Sequence, residues 1–114
     1  MRYAKTGRIV LKLSEMTHAG KVEWEETENE GIYMVAFRDY AVRIWRAGAD
    51  YFIGIYNAEG VKIEEVSDVA LSDDVSDAYT KMGDLYEAAR RRAMGVEDAL
   101  DGILDSLDEA GGEF

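Results

Sequence analysis

The chain has no cysteine, no proline, a single histidine and no long hydrophobic run. Without cysteine there is no disulfide framework, no thiolate nucleophile and no Cys-ligated metal. That absence fits a reducing compartment. Without proline, turning falls to 11 glycines. With His18 alone, a zinc or iron site would need one histidine plus carboxylates, an uncommon ligand set. A Ser-His-carboxylate triad would have to use the same residue, and no serine stands in such a context. The apolar run behind the N-terminal bases, Ile9-Val10-Leu11, is too short for a signal segment, and nothing approaches a bilayer span. The expectation is a soluble cytoplasmic protein.

Positive charge is also scarce. Thirteen Lys and Arg stand against 24 Asp and Glu, a net charge of −11. Such a chain repels nucleic acid and anionic membranes at long range, so neither is an expected direct partner. The bases are concentrated early: Arg2, Lys5, Arg8, Lys12 and Lys21 face only Glu15 within residues 1–21. The other end carries Glu97, Asp98, Asp101, Asp105, Asp108, Glu109 and Glu113 with no base. Complementarity within the fold, or a head-to-tail dimer, accounts for this better than a functional basic arm.

What is present reads as one domain over residues 1–114, large enough for a core that needs no staples. Its centre is a series of short strands: Ile32–Phe37, Tyr40–Arg46, Tyr51–Tyr56 and Val61–Val66, preceded by an alternating segment over residues 22–28. Short breaks favour an antiparallel meander, with Asn57-Ala58-Glu59-Gly60 the clearest hairpin. Before it, residues 6–18 place Ile9, Val10, Leu13, Met16 and Thr17 at helical spacing, with Thr6 as cap and Gly20 as terminator. After it, residues 67–74 read as a polar connector whose Asp73 or Asp74 starts a helix. Ala78, Met82, Leu85, Ala89 and Ala93 form one stripe. Val96, Leu100, Ile103, Leu104 and Leu107 continue it past Gly95. Both stripes point at the sheet or at a second copy of the chain. Residues 109–114 read as a frayed tail.

Alternation gives the sheet two faces. Val42, Ile44, Ile53, Ile55, Val61 and Ile63 form an aliphatic one. Arg43, Trp45, Phe52, Tyr56, Lys62 and Glu64 form a mixed one, with Gly54 placed for close approach. Arg43, Trp45, Phe52 and Tyr56 are the candidate partner-binding residues, because Arg and aromatics are enriched where interfaces concentrate their binding energy. Either the C-terminal helices cover this face or a partner does.

Other features carry little chemistry. No phosphate loop or dinucleotide fingerprint is present. Glu64 and Glu65 point to opposite faces of a strand and form no dyad. Asp68, Asp73, Asp74 and Asp77 lack calcium-loop spacing and read as solvated caps. Arg90-Arg91-Arg92 spread around a helix and pair with nearby acids. The final Gly-Gly-Glu-Phe matches the diguanylate cyclase signature only by coincidence, since that motif sits on a hairpin inside a far larger domain.

Gly20–Trp24, Tyr56–Gly60, Leu85–Arg91, Gly95-Val96 and Ala99-Leu100 together resemble a group of small bacterial and phage-borne proteins without assigned activity. The resemblance implies a bacterial or mobile-element origin and no functional residues. The expected fold is therefore α+β: an N-terminal helix, an antiparallel meander of about five strands and a C-terminal helical pair. The expected function is a non-enzymatic interaction module, self-associating as a homodimer through the mixed sheet face or the C-terminal helices, without cofactor or metal. An acidic inhibitor that imitates nucleic acid and occupies a basic nucleic-acid enzyme is the alternative. A regulator that binds a small ligand through Arg43, Trp45 and Tyr56 is the third reading.

Overall fold

The computed structural model describes residues 2–111. Its elements run α1 (Ala4–His18), β1 (Trp24–Glu26), β2 (Tyr33–Ala36), β3 (Tyr40–Ala47), β4 (Asp50–Asn57), β5 (Lys62–Ser67), α2 (Asp68–Leu71), α3 (Ala78–Ala93) and α4 (Val96–Gly111). The architecture is the α+β arrangement expected from the sequence. The five strands form one antiparallel sheet in chain order, β1-β2-β3-β4-β5.

Hairpin chemistry sets that order. Phe37 and Tyr40 close the β2–β3 turn through Phe37 N to Tyr40 O at 2.7 Å. In the β4–β5 turn the Asn57 side chain accepts from Glu59 N at 3.1 Å and from Val61 N at 2.9 Å, while Gly60 sits at φ 82°. An Asx turn followed by a left-handed glycine needs no longer connection.

The aliphatic face is buried. Tyr33, Val35, Val42, Ile44, Ile53 and Val66 form one core with Met82 and Leu85 of α3 and with Val10 and Leu13 of α1. The buried residues of α3 are Ala78, Met82, Leu85 and Ala89, the stripe read from the sequence. Helix α1 buries Val10, Leu13 and Thr17 but leaves Ile9 exposed. Its terminus is the left-handed Gly20 that the sequence indicates, with Lys21 N donating to Met16 O at 2.9 Å.

Five local expectations are corrected. Helix α1 starts at Ala4, and Thr6 is not its cap. The backbone N–H of the N-cap residue, Tyr3, donates instead to Asp74 Oδ2 at 2.9 Å. The 67–74 connector contains the short helix α2, which Ser67 caps by accepting from Ala70 N at 3.1 Å. Helix α3 begins after Asp77, which takes a left-handed φ of 56° and makes no side-chain cap. Neither Asp68 nor Asp74 is a solvated cap: Asp68 is buried and accepts from Tyr51 N at 2.9 Å.

The fifth correction concerns β5. Ile55 pairs with Glu64 but Tyr56 pairs with Lys62, so one residue bulges between them. The bulge shifts the phase of the strand. Beyond it Glu64 and Val66 lie opposite Ile55 and Ile53, so Glu64 is not on the mixed face where alternation places it and Val66 reaches the core, while Val61 and Ile63 lie exposed on the edge strand. Lys62 and Glu65 end on the same outer face, 2.5 Å apart as an ion pair.

Helix α4 leaves this body. None of its residues is buried. It meets α3 at Met94-Gly95, where Gly95 stands at φ 63° and breaks the helical path. The molecule measures 60 × 32 × 27 Å with a radius of gyration of 16.6 Å, against about 13 Å for a compact chain of this length. The helix runs through Gly111, and the rest of the expected frayed tail lies outside the described residues.

Candidate functional site

Among the described residues, the mixed sheet face and helix α4 are left uncovered by the other elements. On the sheet face, the pairing register sets Arg43 beside Gly54 and Trp45 beside Phe52 across the β3–β4 ladder, with Tyr56 one row further along β4. The four candidate residues are therefore brought together. Trp45 and Phe52 stack with centroids 5.9 Å apart and planes at 10°. The Arg43 guanidinium lies over the Tyr56 ring at 5.1 Å, and the Lys62 ammonium lies over Trp45 at 5.5 Å. Gly54 lies between these rings; a Cβ there would stand 2.9 Å from Tyr56 Cε1 and 3.0 Å from Trp45 Cζ3. The missing side chain is what lets both rings lean inward.

This face needs no helix to keep its aromatics partly dry. Trp45, Phe52 and Tyr56 are all half-buried, shielded by each other and by the stems of Arg43 and Lys62. The charges are only partly occupied: the buried Arg43 Nε has no hydrogen-bond partner among the described residues. Arg43 Nη1 donates to Glu28 Oε1 at 3.2 Å. A backbone hydrogen bond at Glu28, and then Arg43, hold the Glu28 carboxyl below the usual range. The hydrogen bond to Glu65 holds the Lys62 ammonium above the usual lysine value. The face is a self-contained layer over the sheet.

Helix α4 is different. Leu100, Ile103, Leu104 and Leu107 are 45, 56, 57 and 56% exposed, although their spacing places them on one side of the helix. Glu97, Asp101 and Asp108 flank that stripe, while Asp98, Asp105 and Glu109 fall further round. Among the described residues only its start is tied down by an ion pair: Arg91 Nη2 of α3 meets Glu97 Oε2 at 2.5 Å. Its last turn has no base, so Asp108 and Glu109 oppose the negative end of the helix dipole.

The remaining residues resolve simply. Arg90 pairs with Glu87, and that pairing pushes the Glu87 carboxyl down and the Arg90 guanidinium up. His18 ends α1 and lines, with Arg91, Arg92, Asp84 and Glu97, an open cleft of 620 Å³ between α1, α3 and the start of α4. Among the described residues no group of three or more His, Asp or Glu could hold a metal ion, and no helix is long and apolar enough to cross a membrane. The sequence marks the α4 stripe and leaves the partner contact open between the sheet face and the C-terminal helices. Amphipathic spacing says that one side of a helix is covered, not by what.

Comparison with protein families, with curated proteins and with solved structures returns no match for this chain.

Proposed function

We propose that this protein is a non-enzymatic interaction module that associates with itself through α4. The observation that carries the reading is the exposure of Leu100, Ile103, Leu104 and Leu107 on a projecting helix with no buried residue. A helix of this length is marginal alone in water, so α4 gains from being covered. Soluble monomers rarely leave a continuous apolar stripe open.

Magnitudes favour a symmetric pair over a single contact. Covering the exposed half of four such side chains contributes about 3–6 kcal/mol per helix, at ~1.5–3 kcal/mol for a full side chain. Association itself costs about 4–15 kcal/mol. One helix contact barely offsets that cost, whereas two related by a two-fold axis exceed its lower range.

The acidic-inhibitor reading draws on the same helix, whose carboxylates other than Glu97 are free of ion pairs among the described residues. A phosphate mimic needs charge alone, however, and leaves the leucine stripe unexplained. Size-exclusion chromatography with light scattering separates the two. Self-association gives a dimer that Leu100→Glu with Leu104→Glu converts to a folded monomer. A monomer at every concentration, binding a basic protein in a steeply salt-dependent way, would support the inhibitor instead.

A further inference from the structure

Resting on that reading, we infer that α4 of one copy docks on the exposed face of α1 of the other, and reciprocally. The receiving surface is a shallow groove of 380 Å³ lined by Lys5, Arg8, Ile9 and Lys12. Ile9 is exposed at its centre, and the aliphatic stems of the three bases supply the rest of the lining. The groove therefore has a carbon floor and a positive rim, while α4 has a carbon stripe and a negative flank.

The two surfaces also share a period. On α1, Ile9 and Met16 lie seven residues apart, as do Lys5 and Lys12 beside them. On α4, Leu100 and Leu107 lie seven apart, as do Asp101 and Asp108 beside them. Residues seven apart stay on one side of a helix, so apolar and charged rows each meet their complement along about two turns.

Charge decides between this partner and a second α4. Pairing α4 with itself brings acidic flanks near each other without a base. Among the described residues no ion pair involves Lys5, Arg8 or Lys12, nor Asp101, Asp105 or Asp108. Both sets are left without ion pairs among the described residues and are opposite in sign. Reciprocal docking neutralises both and closes the assembly at two copies.

The test is charge reversal and recombination in the full chain, followed by light scattering and native mass spectrometry, with circular dichroism to confirm folding. Lys5→Glu with Lys12→Glu weakens the dimer at least tenfold, and so does Asp101→Lys with Asp108→Lys. An equimolar mixture of the two variants restores a dimer of one chain of each, because every contact is again between opposite charges. Raising salt weakens the wild-type dimer. If Lys5→Glu/Lys12→Glu remains as dimeric as wild type while Leu100→Glu/Leu104→Glu is monomeric, the α1 assignment is overturned and self-association through α4 stands. If the mixture stays monomeric, the pairing is likewise overturned. A wild-type monomer at all concentrations overturns both.

Discussion

Trp24 Nε1 donates to Thr17 Oγ1 at 2.8 Å, with both residues almost fully buried. This bond ties the end of α1 to the edge strand β1 across the turn at Gly20. Thr17→Val keeps the shape and leaves the indole N–H unpaired. The expected loss is about 1–3 kcal/mol, the cost of a buried donor without a partner. Urea unfolding measures it, and a loss below the error of that measurement would show that the bond carries no stability.

Gly54→Ala tests the aromatic layer. The added methyl meets the far edges of the Tyr56 and Trp45 rings, and both can swing toward solvent. The expected outcome is a destabilisation of about 1 kcal/mol, at the low end for overpacking, with a changed Trp fluorescence spectrum. An unchanged spectrum would place the rings elsewhere.

Tyr86 donates its hydroxyl to Gly31 O at 3.1 Å and packs at a tilt against the rings of Tyr33 and Tyr51. Burial, and then Tyr33, raise its pKa above the usual phenol value. The unfolded chain therefore loses this proton first as pH rises. The stability held by the neutral phenol is fully present below about pH 10 and is lost as pH climbs through the folded value. Tyr86→Phe costs about 1 kcal/mol at neutral pH through the lost hydrogen bond and flattens the alkaline limb. Urea unfolding across pH 8–11 checks both; an alkaline limb as steep as wild type would place its origin elsewhere.

Gly95→Ala addresses how α4 is aimed. Nothing lies within 4 Å of the added methyl, but φ is 63° there, a conformation that costs an L-residue about 1–2 kcal/mol. The expected response is to straighten the α3–α4 junction, redirecting α4 and weakening self-association while the core stays intact. A dimer as tight as wild type would show that the hinge angle is not used.

Much of this fold is legible in the sequence because local signals agree. Asn57 to Gly60 encode a tight turn, the α3 stripe from Ala78 to Ala89 has one phase, and Gly95 separates two helices. The failures have physical causes. The bulge between Lys62 and Glu64 leaves Lys62 opposite Tyr56 but turns Glu64 and Val66 to the face of Ile55 and Ile53, and alternation cannot show an inserted residue. Tyr3 is held by Asp74 from 71 positions away, so the start of α1 depends on tertiary structure rather than on a nearby cap. At the candidate site, Arg43, Trp45, Phe52 and Tyr56 do gather as expected. Their mutual packing, which keeps them partly dry without a helix, depends on the register around Gly54 and has no linear signature.

The central claim is that a second copy covers α4. Hydrogen exchange of the wild-type chain over a concentration series tests it most directly. The account predicts that amides from Leu100 to Leu107 exchange fast when dilute and become protected as concentration rises, while α3 stays protected throughout. Exchange in α4 that is fast and unchanged at every concentration would contradict it.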